Sequence, residues 1–315
     1  MNIITKVILM CILFCNQTRA SEETEFVKIF KSITLKDGRV LDRSSDVNTI
    51  SSASTGLVSY AKIISAKRGY LDLAQTKNEV YNGFRETVSR NPSKNLGWLY
   101  HFTDLEGNPV KNSEVSTIDT AIFFFSFLKI SEIVSDPIFQ TEVRSYMNKI
   151  DLDIVFKNGY FKHGWIWVES EKHMIDIFWE NSDECVILYR LFDKPFVPKY
   201  RIISFPLFVY YYPLCFFVDK DQIELLKQAV EFQKRKYNYI GVTACDDENG
   251  YQIGSPNVFS PLSIYAASKY SDLAKEELNK IPCNRLTGSF NERGWVSSDV
   301  IGIDYASCYI ILFGD

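Results

Sequence analysis

The feature that most constrains the fold is a succession of segments with helical spacing, which runs from residue 51 almost to the end of the chain. Apolar residues recur three and four positions apart, and Gly, Pro, Asn or Asp bounds each segment. The longer predicted helices are Ser51–Lys67, Leu71–Ser89, Ser116–Val134, Pro137–Lys149, Asp183–Leu191 and Gln222–Tyr237, and the shorter ones are Ser260–Lys269, Ser271–Lys280 and Tyr305–Phe313. The pattern predicts an all-α chain, with β-hairpins only near Tyr160–Val168 and Gly250–Ile253.

The connections between these segments predict how the helices are arranged. Short turns such as 67–70 and 135–137 alternate with longer loops rich in aromatic residues and glycine. That alternation suits a ring of helical hairpins whose site lies on the side of the long loops. We find no Pro/Ser-rich linker and no break in composition, so residues 21–315 are predicted to form one domain, which starts with a polar lead over Ser21–Asp46.

The N-terminus has the pattern of a secretory signal peptide. Lys6 supplies the positive charge, Val7–Phe14 the apolar stretch, and Thr18–Ala20 a cleavage site with small residues. Met1–Ala20 is therefore predicted to be removed, and the protein is predicted to be secreted or periplasmic. No later segment is long and apolar enough to predict a membrane span after signal removal.

Composition and absent motifs exclude several classes of function. The net charge is −4 and no basic run carries interleaved aromatics, so nucleic acid is not a predicted partner. There is no His-Glu-x-x-His, P-loop or Gly-x-Gly-x-x-Gly, so we predict no metal and no cofactor. The odd number of widely spaced cysteines after the signal does not suit a disulfide framework, and these are Cys185, Cys215, Cys245, Cys283 and Cys308. A monomer is expected.

One region combines aromatic side chains with paired carboxylates. Gly97–Phe102 is an aromatic cluster, and Ser113–Ala121 places Glu114 and Asp119 at the start of a very apolar helix. Sugar rings stack on aromatic faces, and glycoside hydrolysis needs one carboxyl as acid and another to activate water. The competing interpretation is a helix N-cap followed by a core aromatic patch. The alternatives stay open on this segment alone.

Several segments, in order along the chain, resemble the glucoamylase-like bacterial glycoside hydrolases, a family that includes β-1,2-glucanases and a domain of cyclic β-glucan synthases. The matching segments are Ser51–Val58 with Arg68–Tyr70, Gly97–Ala121, Gly164–Trp165 with Trp179 and Asp183–Glu184, Gly241–Asp246 with Asn249–Tyr251, and Gly302–Asp304. The resemblance implies an (α/α)6 toroid, in which six outer and six inner helices surround an acidic cleft.

The resemblance also implies roles for individual carboxylates. Glu184 occupies the position of the glutamate in a Ser-Glu pair, and a partly desolvated carboxyl near Trp179 suits a general acid. Glu114 or Asp119 is the candidate base, and the choice between them stays open. The alternatives are a structural hydrogen-bond acceptor for Asp119 and stabilisation of the helix dipole for Glu114.

Further residues are candidates for binding substrate. For each of them a structural role is the alternative interpretation. The aromatic residues would pack in the core, His101 would be a core histidine bonded to a backbone carbonyl, and the acids would hold loops in place. The set is Trp98, Tyr100, His101, Asp104, Trp165, Trp179, Asp246, Tyr251 and Asp304.

The chain departs from the family at two places. Val209–Cys215 stands where the family has a segment with two histidines, and Tyr305-Ala306 follows the Gly-Ile-Asp where Gln-Gly is usual. The leading hypothesis is a secreted, inverting glycoside hydrolase that acts on an oligo- or polysaccharide, a β-glucan with β-1,2 linkages. The alternatives are a catalytically impaired glycan-binding toroid and an adaptor whose aromatic residues are all core.

Overall fold

The computed structural model describes residues 21–281, 288–291 and 294–314, and this part of the chain is mainly helical, as predicted. The predicted signal peptide and Cys283 lie outside the described residues. The helices are α1 over 21–33, α2 Ser52–Lys67, α3 Leu73–Arg90, α4 Thr117–Ile133, α5 Pro137–Met147, α6 Val186–Leu191, α7 Phe208–Tyr211, α8 Lys220–Tyr237, α9 Pro261–Ser268, α10 Asp272–Leu278 and α11 Gly302–Phe313.

Helix α7 and the strands outside the two hairpins were not predicted, and two further segments differ from the sequence-based expectation. The lead over Ser21–Asp46 begins with helix α1, because Phe26, Phe30 and Ile33 form a buried stripe at helical spacing beneath the charged residues. The predicted helix Asp183–Leu191 is a 3₁₀ turn over Asp183–Cys185 followed by α6. That tighter turn changes the direction in which the Glu184 side chain leaves the backbone.

The strands are short and antiparallel. They are β1 Leu41–Arg43, β2 Asp46–Ser51, β3 Phe102–Thr103, β4 Val115–Ser116, β5 Phe156–Lys157, β6 Tyr160–Val168, β7 Glu171–Phe178, β8 Ala244–Asp247, β9 Gly250–Ile253, β10 Ser289–Asn291 and β11 Gly294–Ser297. They pair in the orders β1-β2-β3, β4-β6-β5 with β7 beside β6, β8-β9 and β10-β11. Each of the two predicted hairpin segments is one strand of a hairpin, paired with β7 and β8 respectively.

Helices α2 and α4 form the centre of the molecule. Nearly every side chain of both is buried, and they pack closely because Gly56 lets α2 approach the backbone of Phe123. Helices α3 and α11 pack on α2, and α5 and α6 pack on α4. One hydrophobic cluster runs from α1 to α11. Within the described residues, no helix combines the length and the apolar character needed to cross a bilayer.

Candidate active site

A cavity of about 230 Å³ lies where the N-terminal ends of several helices meet. Ser51 and Ser116, the N-caps of α2 and α4, are on its wall, and so is Ile303 in the first turn of α11. Its other polar and aromatic lining residues are Asp42, His101, Phe102, Glu114, Asp119, His163, Trp179, Glu184, Tyr212 and Tyr251. The structure therefore gathers carboxylates from segments far apart in the sequence.

His101 and Glu114 are neighbours because their two backbone segments run antiparallel. The His101 amide donates to the Glu114 carbonyl over 2.9 Å, and the Ser116 amide donates to the Leu99 carbonyl over 2.9 Å. Residues that face each other in such a pair have adjacent side chains. Accordingly, Nδ1 of His101 lies 2.9 Å from Oε1 of Glu114.

Asp119 completes a group of three side chains. The Ser116 hydroxyl caps α4 by accepting from the Asp119 amide, and it donates to Oδ2 of Asp119 over 2.5 Å. The other carboxylate oxygen, Oδ1, lies 3.5 Å from Nε2 of His101. Asp119 is thus a structural hydrogen-bond acceptor at the helix end through one oxygen, while its other oxygen faces the imidazole.

The charges of these three groups depend on one another. Burial alone would lower the pKa of His101, but the Asp119 and Glu114 carboxylates raise it to about 9, so the imidazole is protonated at neutral pH. Burial raises the pKa of Glu114, but the His101 hydrogen bond and charge outweigh it and lower that pKa below its usual range. For Asp119 burial dominates, and its pKa is raised.

Glu184 has the environment of a proton donor. It lies in the 3₁₀ turn before α6, is 7 % exposed and lines the same cavity as Asp119. Burial and then the negative charge of Asp119 raise its pKa to about 8, against the opposing effect of His101. The carboxyl therefore holds its proton at neutral pH.

Trp179 and His163 form an aromatic wall of the cavity. Their rings stack with centroids 3.7 Å apart, and the indole N–H of Trp179 donates to Oγ1 of Thr117 over 3.0 Å. Burial lowers the pKa of His163 to about 4, so this imidazole is neutral, unlike that of His101. The hydrogen bond to Thr117 fixes the indole at the start of α4.

Asp304 is held by two tyrosines of the segment Val209–Cys215, in which the expected histidines are absent. Both the Tyr211 and Tyr212 hydroxyls donate to its Oδ1, over 3.0 and 2.6 Å, and Tyr212 lines the cavity. Burial raises the pKa of Asp304 to about 6, although the two hydrogen bonds lower it. Asp304 acts on Glu184 as a nearby negative charge, further from the cavity itself.

Asp246 and Tyr251, on the β8–β9 hairpin, are both tied to Arg43. The Arg43 guanidinium lies 3.2 Å from Asp246 and 4.8 Å from the centre of the Tyr251 ring. Tyr251 lines the cavity, whereas Asp246 supports the hairpin from the side.

Six of the sequence candidates do not line the cavity, namely Asp246 and Asp304 and the four residues that follow. Trp98, Tyr100 and Trp165 are buried in the core, and the indole N–H of Trp98 donates to the Asp151 carbonyl over 3.0 Å. Asp104 closes its own turn by accepting from the Asn108 amide over 2.8 Å. For these residues the structure supports the core-packing and turn interpretations.

Among the wall residues that were not sequence candidates, Asp42 and His163 bear on the charge of the site. Asp42 is buried there and bonded to Arg43, and burial raises its pKa. Asp42 gives no local signal, because it lies in a polar segment between Arg39 and Arg43, and His163 directly precedes the Gly164-Trp165 pair of the resemblance.

The described residues also contain one group with the spacing of metal ligands, formed by His101, Glu114 and Asp119. Their ligand atoms lie within 4.8 Å of one another. A protonated imidazole between two carboxylates satisfies the same three side chains without an ion. The described cysteines are buried and free, and they are Cys185, Cys215, Cys245 and Cys308.

No family model and no curated protein sequence matches this chain. Solved structures do match. An endo-β-1,2-glucanase from Chitinophaga pinensis, in complex with sophorotriose and glucose, has a TM-score of 0.77 at 14% identity and covers 94% of this chain and 91% of its own. A glucoamylase-like protein from Bacteroides uniformis has a TM-score of 0.75 at 14% identity, with 94% and 90% covered.

The same architecture also carries other chemistry. Cellobiose 2-epimerase from Bacillus thermoamylovorans has a TM-score of 0.60 at 10% identity and covers 96% of this chain and 99% of its own. At such identities the likeness establishes the fold and leaves the reaction to the site. The structural neighbours of this chain are glucoamylase-like proteins and endo-β-1,2-glucanases, and it shares their fold.

Proposed function

We propose that this protein is an inverting glycoside hydrolase that cleaves a β-glucan, with β-1,2 linkages as its substrate. The observation that carries the proposal is Glu184, a carboxyl with a pKa of about 8 in a cavity that also holds Asp119 and Glu114. Hydrolysis of a glycosidic bond needs a protonated carboxyl as general acid and an ionised carboxylate as general base. The names of the structural neighbours support β-glucan as the substrate class.

Glu184 is the general acid in this mechanism. Its proton goes to the glycosidic oxygen as the bond to the anomeric carbon breaks, so the departing sugar leaves as a neutral alcohol. The imidazolium of His101 and the surrounding carboxylates make one end of the cavity polar. There the negative charges of Asp119 and Glu114 stabilise the positive charge that develops on the sugar ring in the transition state.

Asp119 is the better candidate for the base that activates water. A general base gains strength as its pKa rises, and the pKa of Asp119 is raised whereas that of Glu114 is lowered by its bond to His101. Glu114 then has the role of orienting and charging the imidazole. An inverting arrangement requires roughly 6.5–9.5 Å between the acid and base carboxyls, with water between them.

Two further parts of the proposal concern the whole chain. We place the helices in an (α/α)6 ring, for which the close packing of α2, α4 and α11 and the fold of the neighbours give support. Export through the predicted signal Met1–Ala20 would bring the enzyme to glucans outside the cytoplasm.

The test is hydrolysis of a panel of β-glucans that differ in linkage, with new reducing ends as the readout. Glu184→Gln removes the acidic proton and keeps the shape, so we expect at least a hundredfold loss of kcat. Glu180→Gln, in the same loop but ion-paired with Lys199 at 3.2 Å, is the matched control and should keep its activity. The anomer released first, followed by NMR, tests inversion.

The outcomes separate this function from the glycan-binding alternative. Cleavage of one linkage that Glu184→Gln abolishes establishes the hydrolase. Cleavage that survives in Glu184→Gln contradicts the assignment of the acid. Thermal stabilisation by oligosaccharides, with no new reducing ends from any glucan, favours the binding toroid. The supporting observation for that alternative is the absence of the two expected histidines from Val209–Cys215.

A further inference from the structure

The cavity wall combines two chemically different sets of side chains. Asp42, His101, Glu114 and Asp119 are polar and charged. The apolar part of the wall, apart from the rings already described, consists of hydrocarbon side chains, namely Ile118, Ile175, Ile253, Ile301, Ile303 and Phe208. Isoleucine offers no hydrogen bond to a sugar hydroxyl and no flat ring on which a pyranose can stack.

Part of the apolar wall lies beside the proton donor. Helix α7, which begins at Phe208, packs against the turn that carries Glu184. Pro206, just before α7, is so close to Gly254 that a methyl group added there would lie 2.7 Å from Cγ of the proline. Gly254 follows Ile253, so Glu184, Phe208 and Ile253 border the same part of the cavity.

The position of the acid identifies what this apolar part receives. Glu184 gives its proton to the oxygen that leaves, so the leaving group occupies the side of the cavity where Glu184 lies. We infer that, in addition to β-glucan, the site takes β-glucosides with an apolar aglycone, an alkyl or aryl group, which Phe208 and Ile253 contact while the β-glucosyl part occupies the polar end. This inference rests on the proposed hydrolase function.

The reaction with such a substrate is ordinary hydrolysis. The water oxygen bonds to the anomeric carbon while the bond from that carbon to the aglycone oxygen breaks. The Glu184 proton goes to the aglycone oxygen, and Asp119 takes the proton that the water loses. The products are a free sugar and an alcohol or phenol.

The exposure of Ile253 supports an apolar occupant. This residue lines the cavity and is 71 % exposed, so much of its apolar surface is in contact with water. Its hairpin is held in place, since the Arg43 guanidinium lies over the neighbouring Tyr251 ring. Covering the isoleucine with an alkyl or aryl group removes that surface from water, which a second sugar with its hydroxyls does less well.

The experiment measures binding of S-linked alkyl β-glucosides, which resist hydrolysis, by calorimetry below their micelle concentrations. The methyl, butyl and hexyl compounds form the series. We expect Kd to fall about fourfold for each added methylene that is fully buried against the wall. Ile253→Asn should remove most of this dependence on chain length. Ile138→Asn is the matched control, because Ile138 is 82 % exposed on α5 and is not on the cavity wall.

The binding series and the hydrolysis test fail separately. Affinity that rises with chain length, and no longer does so in Ile253→Asn, supports the aglycone site even when no glucan is cleaved, and then only the proposed hydrolysis fails. Equal affinity for all the alkyl compounds overturns the inference, even when β-glucans are cleaved. A dependence on chain length that Ile253→Asn leaves unchanged also overturns it.

Discussion

At the residue scale, the site combines a protonated carboxyl group, that of Glu184, with a cluster of three side chains, His101, Glu114 and Asp119, in which the imidazole is protonated. Glu184 is neutral at pH 7 because it is buried and because Asp119 is negative nearby. His101 is positive because two carboxylates flank it. A protonated Glu184 together with a negatively charged Asp119 is the pair of states that the proposed acid–base catalysis by two carboxyl groups requires.

The raised pKa of Glu184 has a consequence for stability that needs no substrate. The folded protein holds this proton up to about pH 8, whereas an unfolded chain releases it near 4.5, so the contribution to stability is present at low pH and is lost as the pH rises. The loss is about 1.4 kcal/mol per pH unit between these values. Glu184→Gln lacks this titration.

Urea denaturation of both proteins at several pH values measures the difference. We expect Glu184→Gln to gain unfolding free energy relative to the wild type as the pH rises from about 5 to about 8, and to gain no more above that. A difference that stays constant with pH would mean that Glu184 is ionised in the folded protein.

Asp119→Asn tests the coupling between the two carboxyl groups. Removing the negative charge lowers the pKa of Glu184, so the alkaline limb of the pH–rate profile moves to lower pH. Loss of the base also reduces kcat by a factor of about 10² or more. Asp176→Asn, 82 % exposed in its side chain, should leave the profile as it is. If the alkaline limb of the pH–rate profile does not move in Asp119→Asn, the charge of Asp119 does not raise the pKa of the general acid.

At the scale of secondary-structure elements, the pairing of β4 with β6 sets the start of α4. Gly164 faces Ser116 in this pair, and its φ of +146° lies in a region that favours glycine. A Cβ at this position would lie 1.9 Å from the Val115 carbonyl oxygen. The glycine thus lets the strand approach the segment that carries Glu114, Ser116 and Asp119.

Gly164→Ala should lower the free energy of unfolding by about 3 kcal/mol or more, because the backbone has to move to admit the methyl group. The control is Gly159→Ala, whose glycine also has a positive φ, +84°, but has open space around it. That change should cost only about 1 kcal/mol. Equal effects in chemical denaturation would show that the strain in φ, not the contact, decides the outcome.

The same elements show what the sequence could and could not predict. Helical spacing located the helices, and the short antiparallel segment explains why His101, Glu114 and Asp119 were found together. Glu184 was reached only through the family resemblance. Trp98 and Trp165 have the same local pattern whether they face a cavity or the core. Contacts such as that of Arg43 with Asp246, 203 residues apart, leave no local trace.

At the scale of the whole molecule, helix α1 is joined to the far end of the chain. Glu23 is 1 % exposed and accepts from Arg68 over 2.6 and 3.0 Å and from the Tyr309 hydroxyl over 3.0 Å. Phe26 and Phe30 pack on the Tyr309 ring. This contact fastens the first described residues to α2 and α11.

Arg68→Ala leaves the buried Glu23 carboxylate with less compensation, and we expect the free energy of unfolding to fall by roughly 2–3 kcal/mol. Arg85→Ala breaks a pair of the same geometry, with both distances to Glu142 at 2.8 Å, but Arg85 is mostly exposed. That control should lose less than about 1 kcal/mol. Urea denaturation compares the two variants, and similar losses would show that burial of Glu23 adds nothing.

The apolar character of α4 has a consequence for irreversible inactivation of the protein. The helix is buried between α2, α5 and α6, and its residues from Ile122 to Leu128 have almost no polar face. Partial unfolding that releases α4 exposes a continuous hydrophobic segment. Chains in this state associate with one another faster than they refold. Heating is therefore expected to cause irreversible aggregation. The rate of inactivation should equal the rate at which unfolding exposes α4.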